Sequence, residues 1–292
     1  MIEFLQRKKV WVFDGAMGTM LQKHGWQIGE CPEAYNLSKP EIVFEIHRSY
    51  VNAGSDIIQS NTFGANLLRL KMFGLESKTI EINKRGIEIA RNAAGTDVIV
   101  AASLGPLGEL IKPLSETTRE QAFDSFREQA KGMTEADFIN IETMQSLDEA
   151  EIALNAVRSV CNIPISISVT FQKTPRGYFT MMGETTKSFV DRFSNQDVQI
   201  LGSNCGEGFL QMFEVLSEMK PLTNIPLLAK ANAGLPVWKE GEEVYTEEPD
   251  FIRDKVNRLF ELGVKIVGGC CGTTPEHIHE IKKIANRINL IE

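Results

Sequence analysis

Short apolar runs rich in β-branched residues recur along this chain at helix-length intervals, and that alternation restricts its fold more than any other feature. The runs are Val10–Phe13, Asp56–Ser60, Val98–Ala102, Phe138–Ile141, Ile165–Thr170, Gln199–Gly202, Pro226–Ala229 and Val264–Val267. Between them lie stretches with apolar residues at i, i+3 and i+4 and charges in the gaps: Pro40–Ala53, Glu81–Ala94, Thr118–Glu135, Ser146–Val160 and Pro249–Leu262. Repeated strand–helix units form a parallel sheet covered by helices. Eight of them suit a closed (β/α)8 TIM barrel better than an open sheet. The open dinucleotide-binding fold is the main competitor, and its GxGxxG fingerprint is missing. The expectation is therefore one α/β barrel domain over residues 1–292, close to the roughly 250 residues typical of such barrels.

Nearly every run ends in a polar or glycine-rich turn. These include Asp14–Thr19, Ser60–Gly64, Ser103–Pro106, Glu142–Thr143, Ser203–Gly206, Ala231–Gly234 and Gly268–Thr274. In a (β/α)8 barrel the C-terminal strand ends converge on one mouth, where the active site lies. These turns are expected to meet there.

The formal net charge is −8. That argues against a nucleic-acid partner, which needs a basic footprint, and against docking on an anionic membrane. No apolar run approaches the ~20 residues that span a bilayer. The first residues, MIEFLQRKKVWVF, carry charges within the apolar stretch, so they read as the start of the first strand and not as a signal peptide. A cytoplasmic location follows as the expectation.

The five cysteines are Cys31, Cys161, Cys205, Cys270 and Cys271. An odd number in a long cytosolic chain points to metal or thiol chemistry and not to a disulfide framework. Cys270 and Cys271 are adjacent, within Gly268-Gly269-Cys-Cys-Gly272. Neighbouring strand residues point to opposite faces, so both sulfurs reach one point only if the backbone bends sharply, which glycine permits. Cys205 ends a run two strands earlier. Three thiolates from two strand ends would leave zinc its fourth position, as catalytic sites do. A lone strand cysteine is also a common core residue, and a vicinal pair can be a redox disulfide, expected here between Cys270 and Cys271 if metal is lost. Cys31 and Cys161 read as structural. Three anionic ligands keep a bound substrate sulfur electron-rich, which suits alkyl transfer to sulfur better than hydrolysis.

At these residues the chain resembles the homocysteine S-methyltransferases. The resemblance runs in order through DGAMGTMLQ (Asp14–Gln22), His47–Asn66, GPLGEL (Gly105–Leu110), IETM (Ile141–Met144), GSNCGEG (Gly202–Gly208), ANAG (Ala231–Gly234) and GGCCGTTPEHI (Gly268–Ile278). DGAMGT resembles the homocysteine module of cobalamin-dependent methionine synthase more than the betaine-dependent branch. The resemblance implies zinc on Cys205, Cys270 and Cys271. It also implies that Glu142 meets the ammonium of homocysteine, that the backbone at Asp14 and Gly15 meets its carboxylate, and that Asn232 makes a further polar contact. Asp14 reads equally well as a turn residue accepting backbone N–H bonds. Asn61, Thr62 and Asn204 are candidates for orienting loops and ligands. Gly206-Glu207-Gly208, Met144-Gln145 and Met181-Met182 depart from the methionine synthase pattern. With the chain ending at residue 292, methylcobalamin is expected to arrive on a separate corrinoid protein. A small onium donor such as S-methylmethionine or betaine is the alternative, and a non-catalytic zinc or amino-acid-binding module is a third reading.

Overall fold

The computed structural model describes residues 2–239 and 242–290. Its strands are β1 (Trp11–Val12), β2 (Ile57–Gln59), β3 (Ile99–Leu104), β4 (Phe138–Met144), β5 (Ile165–Val169), β6 (Gln172–Thr174), β7 (Gly177–Phe179), β8 (Ile200–Cys205), β9 (Leu227–Ala231), β10 (Pro236–Lys239), β11 (Glu242–Tyr245) and β12 (Ile266–Gly269). Eight of these form one sheet in the order β1-β12-β9-β8-β5-β4-β3-β2. Its pairings are all parallel. The ring closes between β1 and β2. Phe13 bridges Ile57, Asp56 N donates to Val12 O at 2.8 Å, and Asp14 N donates to Ile57 O at 2.9 Å. This is the expected (β/α)8 barrel, and each of the eight apolar runs supplies one of its strands.

The helices are α1 (Gly18–Lys23), α2 (Tyr35–Ser38), α3 (Pro40–Ala53), α4 (Leu67–Lys71), α5 (Thr79–Ala94), α6 (Arg119–Lys131), α7 (Leu147–Arg158), α8 (Thr186–Phe193), α9 (Phe209–Met219), α10 (Arg253–Glu261) and α11 (Pro275–Leu290). Their ends follow local chemistry. Pro40 opens α3 and Gly54 closes it in the left-handed region, at φ 103°. Thr118 and Gln121 form a reciprocal capping box on α6. The buried faces of the helices pack on the outward side chains of the sheet in one large apolar cluster.

A second cluster fills the barrel itself: Trp11, Phe13, Ile57, Ala101, Phe138, Ile200, Leu228 and Ile266, with Ile2, Phe4 and Leu5 beneath them. The N-terminal segment thus departs from the expected strand. Glu3–Gln6 form a 3-10 helix, and its Phe4 ring meets Trp11 and Phe138 at centroid distances of 5.0 and 6.0 Å. The apolar residues before the first strand plug the bottom of the barrel, because the open end of the ring would otherwise leave that layer wet.

Side chains alternate along a strand, so residues two and four positions beyond the apolar layer also face inward. Counting upward gives Gln59 on β2, Ser103 on β3, Asn140 and Glu142 on β4, Asn204 on β8, Lys230 on β9 and Cys270 just past β12. The barrel therefore turns from greasy to polar toward its C-terminal mouth. Two hairpins break the plain strand–helix rhythm, β6–β7 after β5 and β10–β11 after β9.

Candidate metal centre and polar layer at the barrel mouth

The Sγ atoms of Cys205, Cys270 and Cys271 lie within 4.8 Å of one another. Cys205 ends β8 with φ 65°, a left-handed conformation that a cysteine holds only when its surroundings impose it. Asn232 helps impose it: its Nδ2 donates to Gly206 O at 2.7 Å and its N–H to Cys205 O at 3.4 Å. Beyond β12 the chain turns at once. Thr273 donates to Cys270 O twice, from N at 3.1 Å and from Oγ1 at 2.7 Å. Cys270 N donates to Ala231 O at 2.7 Å, and Ala233 N donates to Cys271 O at 2.9 Å. Both vicinal sulfurs are thereby brought to one side, the bend that the flanking glycines anticipated. Gly272, at φ 78°, has no room for a side chain because the Tyr245 ring from β11 lies against it.

The sulfurs of Cys205 and Cys270 stand 3.2 Å apart. Hydrogen bonds from Cys205 and then Cys270 pull the Cys271 thiol down to about 3, with Tyr245 adding a further hydrogen bond to this sulfur. Hydrogen bonding to Cys270 pushes Cys205 well above its ordinary value. A tetrahedral zinc with bonds of about 2.3 Å needs sulfurs about 3.8 Å apart. Sulfurs gathered within 4.8 Å of one another can adopt that spacing with small shifts, and the all-sulfur donor set suits zinc and not a hard cation. The residues therefore fit the metal. Cys31 is buried and Cys161 half-buried, each apart from this cluster.

Below the sulfurs lies a charged layer. Glu142, only 2% exposed, accepts from Gln59 Nε2 at 2.9 Å and Ser103 Oγ at 2.5 Å through Oε1. It is not an exposed strand-end carboxylate. Asp14 is equally buried and accepts Gln59 N–H through Oδ2 at 2.8 Å, so it does serve as a backbone anchor, while its Oδ1 has no hydrogen-bond partner. Burial pushes its carboxyl up to about 7 against the opposing pull of Lys230. Gly15 packs tightly on Tyr50 and Thr273. The Tyr50 hydroxyl donates to Ala16 O at 2.7 Å and Thr273 O at 3.0 Å, tying the Asp14 loop to the cysteine loop. Asn232 Oδ1 is buried without a partner.

Asn61 and Thr62 orient loops: Asn61 Nδ2 donates to Pro32 O at 2.9 Å, and Thr62 Oγ1 to Ser103 O at 2.7 Å. Asn204 clamps Thr143, which is itself left-handed at φ 61°. Among the positions that depart from the methionine synthase pattern, Met144 is fully buried against the helices, whereas Met181 and Met182 are exposed.

Lys230 was not among the sequence candidates. Its Nζ is buried, 3.8 Å from Asp14 Oδ1, 3.5 Å from Glu142 Oε2 and 4.2 Å from the centre of the Phe13 ring. The signal was a lysine inside the apolar run Leu227–Ala231, in phase with inward Leu228 and Asn232. Tyr245 was also missed. It sits outside the eight strand–helix units, on a hairpin held by Glu247, whose N–H donates to Ala233 O at 2.8 Å and whose carbonyl meets His277 Nε2 at 2.7 Å.

Comparison with known proteins agrees with this geometry. The homocysteine S-methyltransferase family model matches residues 11–285. The methionine synthase of Mycobacterium leprae (strain TN) is 32% identical over 302 residues, covering 97% of this chain and 25% of that protein. That of Mycobacterium tuberculosis (strain ATCC 25618 / H37Rv) is 32% identical over 294 residues, covering 94% and 24%. This chain thus spans about a quarter of the length of these relatives. The metallated form of the homocysteine methyltransferase MmuM from Escherichia coli shares its fold, with a TM-score of 0.80 at 21% identity over 96% of this chain and 98% of that one. Family match, fold and cysteine constellation converge, and the chain belongs to the homocysteine S-methyltransferase family.

Proposed function

We propose that this chain is a zinc-dependent methyltransferase that moves a methyl group onto the thiol of homocysteine to give methionine, with methylcobalamin on a separate corrinoid protein as the donor. The observation that carries the reading is the gathering of three sulfurs from two distant strand ends at a barrel mouth. Cys205, Cys270 and Cys271 would hold the zinc, and the chemistry it supplies is a substrate thiol anchored and deprotonated at neutral pH. Glu142 takes the substrate ammonium, which needs an anionic partner in so buried a layer, and the backbone at Asp14 and Gly15 meets the substrate carboxylate. Asn232 Oδ1 is an acceptor without a partner. The sulfur lone pair forms the new S–CH3 bond as the donor–CH3 bond breaks. That electron pair stays on the donor, and the thiol proton has already passed to solvent. No protein base is required in the transfer.

The resemblance to the homocysteine module of cobalamin-dependent methionine synthase favours a corrinoid donor. Three reduced cysteines favour a cytoplasmic setting. No helix among the described residues is long and apolar enough to cross a membrane. The test is a donor screen with zinc-loaded protein and homocysteine, in which methionine is detected directly. Methionine from methylcobalamin that is lost in Cys270→Ala supports the reading. Turnover with S-methylmethionine or betaine alone moves the donor to the onium class. No methionine from any donor overturns the proposal.

A further inference from the structure

Asn204 is 1% exposed, and its amide has a single workable orientation. Its Oδ1 accepts the Thr143 N–H at 2.7 Å and the Ser168 hydroxyl at 2.9 Å. A backbone N–H can only donate, so the amide oxygen must face Thr143 and the group cannot turn over. Nδ2 then donates to Thr143 Oγ1 at 2.7 Å and stands 3.9 Å from Cys270 Sγ, within donor reach of so large an acceptor atom. Tyr245 meets the cluster from the β10–β11 hairpin. Its ring lies against Gly272 and its hydroxyl hydrogen-bonds the Cys271 sulfur. Two of the three sulfurs thus face a protein donor, each held by a different element. The methyl transfer as written above uses neither donor.

A zinc ion held by three cysteine thiolates and one substrate thiolate is surrounded by four anionic sulfurs, and each is a nucleophile. Methyl transfer to a cysteine is chemically the same step as transfer to the substrate. A sulfur lone pair forms the S–CH3 bond, and the electron pair of the broken bond leaves with the donor. The product would be a neutral thioether in place of an anionic ligand, and the site would be spoiled. Resting on the functional reading above, we infer that Asn204 and Tyr245 are positioning residues that direct the methyl group to the substrate by hydrogen-bonding the Cys270 and Cys271 sulfurs. A hydrogen bond to an anionic sulfur is strong while the charge is there and weakens as the S–CH3 bond forms. It therefore stabilises the unreacted cysteine more than the transition state and slows attack from that sulfur. The same donors relieve the crowded negative charge and help the cysteines keep the metal.

The test treats the zinc-loaded chain with iodomethane in the absence of homocysteine and locates the methyl groups by peptide mapping. Iodide leaves with the electron pair, so no partner protein is needed. Zinc release is followed in parallel with a chromogenic chelator, and Cys161, away from the cluster, reports general loosening. Tyr245→Phe should raise the methylation rate of Cys271 about threefold to tenfold, the scale on which part of one hydrogen bond to a charged group is lost at the transition state. Cys270 and Cys161 should stay at the parent rate. Asn204→Asp keeps the acceptor for the Thr143 N–H but loses the donor, and should raise Cys270 in the same way while Cys271 stays. Zinc release should accelerate in step with the thioether formed. Tyr245→Phe alone carries the test if the Asn204 variant does not fold. Unchanged rates at Cys270 and Cys271, or an equal rise at all the cysteines, would show that these residues only hold the cluster in shape, and either overturns the inference. An unaltered protein that binds no zinc would instead overturn the functional reading.

Discussion

Asn204 and Thr143 hold each other by two hydrogen bonds. Asn204 Oδ1 accepts the Thr143 N–H and Asn204 Nδ2 donates to Thr143 Oγ1, both at 2.7 Å. The pair joins the residue after Glu142 to the residue before Cys205, so one clamp links the acidic layer to the sulfur cluster. Both Thr143 and Cys205 sit at positive φ, a conformation non-glycine residues keep only under restraint.

Removing the clamp should loosen both strands. Asn204→Ala is expected to lower the unfolding free energy by about 1 kcal/mol, because it strands the half-buried Thr143 N–H. Zinc should also be lost faster to a chelator. Asn204→Asp keeps the acceptor and should fall between the two. Urea melts with chelator competition check this, and parent-like values for the alanine variant would rule out the clamp.

The proposed zinc site also makes a redox prediction. Cys205 and Cys270, 3.2 Å apart on separate strand ends, are placed to oxidise together, an alternative to the vicinal pair expected from sequence. Peptide mapping of zinc-free, mildly oxidised protein should find a Cys205–Cys270 disulfide that dithiothreitol reverses with recovery of zinc binding. A Cys270–Cys271 bridge as the main product would contradict this.

The hairpin that carries Tyr245 is fitted to Gly272. Gly272→Ala places a methyl group against the tyrosine ring at a left-handed position. The backbone strain alone should cost about 1–2 kcal/mol. Tyr245→Phe keeps the ring but removes the hydrogen bond to Cys271, so its melting point should stay near the parent while zinc dissociates faster. Thermal melts and zinc off-rates of the two variants separate packing from hydrogen bonding.

Asp14 gives a pH signature. Its folded-state value, about 7, lies above its ordinary 3.8. Between those values the folded protein holds a proton that the unfolded chain has released. Stability from this group therefore falls as pH rises from about 4 to about 7, by up to about 1.4 kcal/mol per unit, and levels off above that. Asp14→Asn removes the slope. Urea melts from pH 4.5 to 8 should show the stability of the variant relative to the parent rising across this window. A flat or falling difference would refute the assignment.

The residues themselves determined the strand and helix pattern, because side-chain periodicity is a property of short windows of backbone. Pro40 and Gly54 even marked the ends of α3. They also singled out the candidate metal-holding cysteines, since glycines on both sides of Cys270-Cys271 permit the bend that brings both sulfurs together. The alternation Leu228, Lys230, Asn232 already set a lysine on an inward face. What only the tertiary structure decided was what that lysine would meet. Asp14 lies just past β1, and Glu142 and Lys230 lie on β4 and β9; their separation depends on the closure and tilt of the whole ring, which no local window encodes. Tyr245 reaches Cys271 for a similar reason: its hairpin folds back over the mouth, with the Glu247 N–H donating to Ala233 O and the Glu247 carbonyl accepting from His277 Nε2. The N-terminus turned from expected strand to plug because the finished barrel left an apolar floor to cover, and that floor exists only once eight distant strands have closed around it.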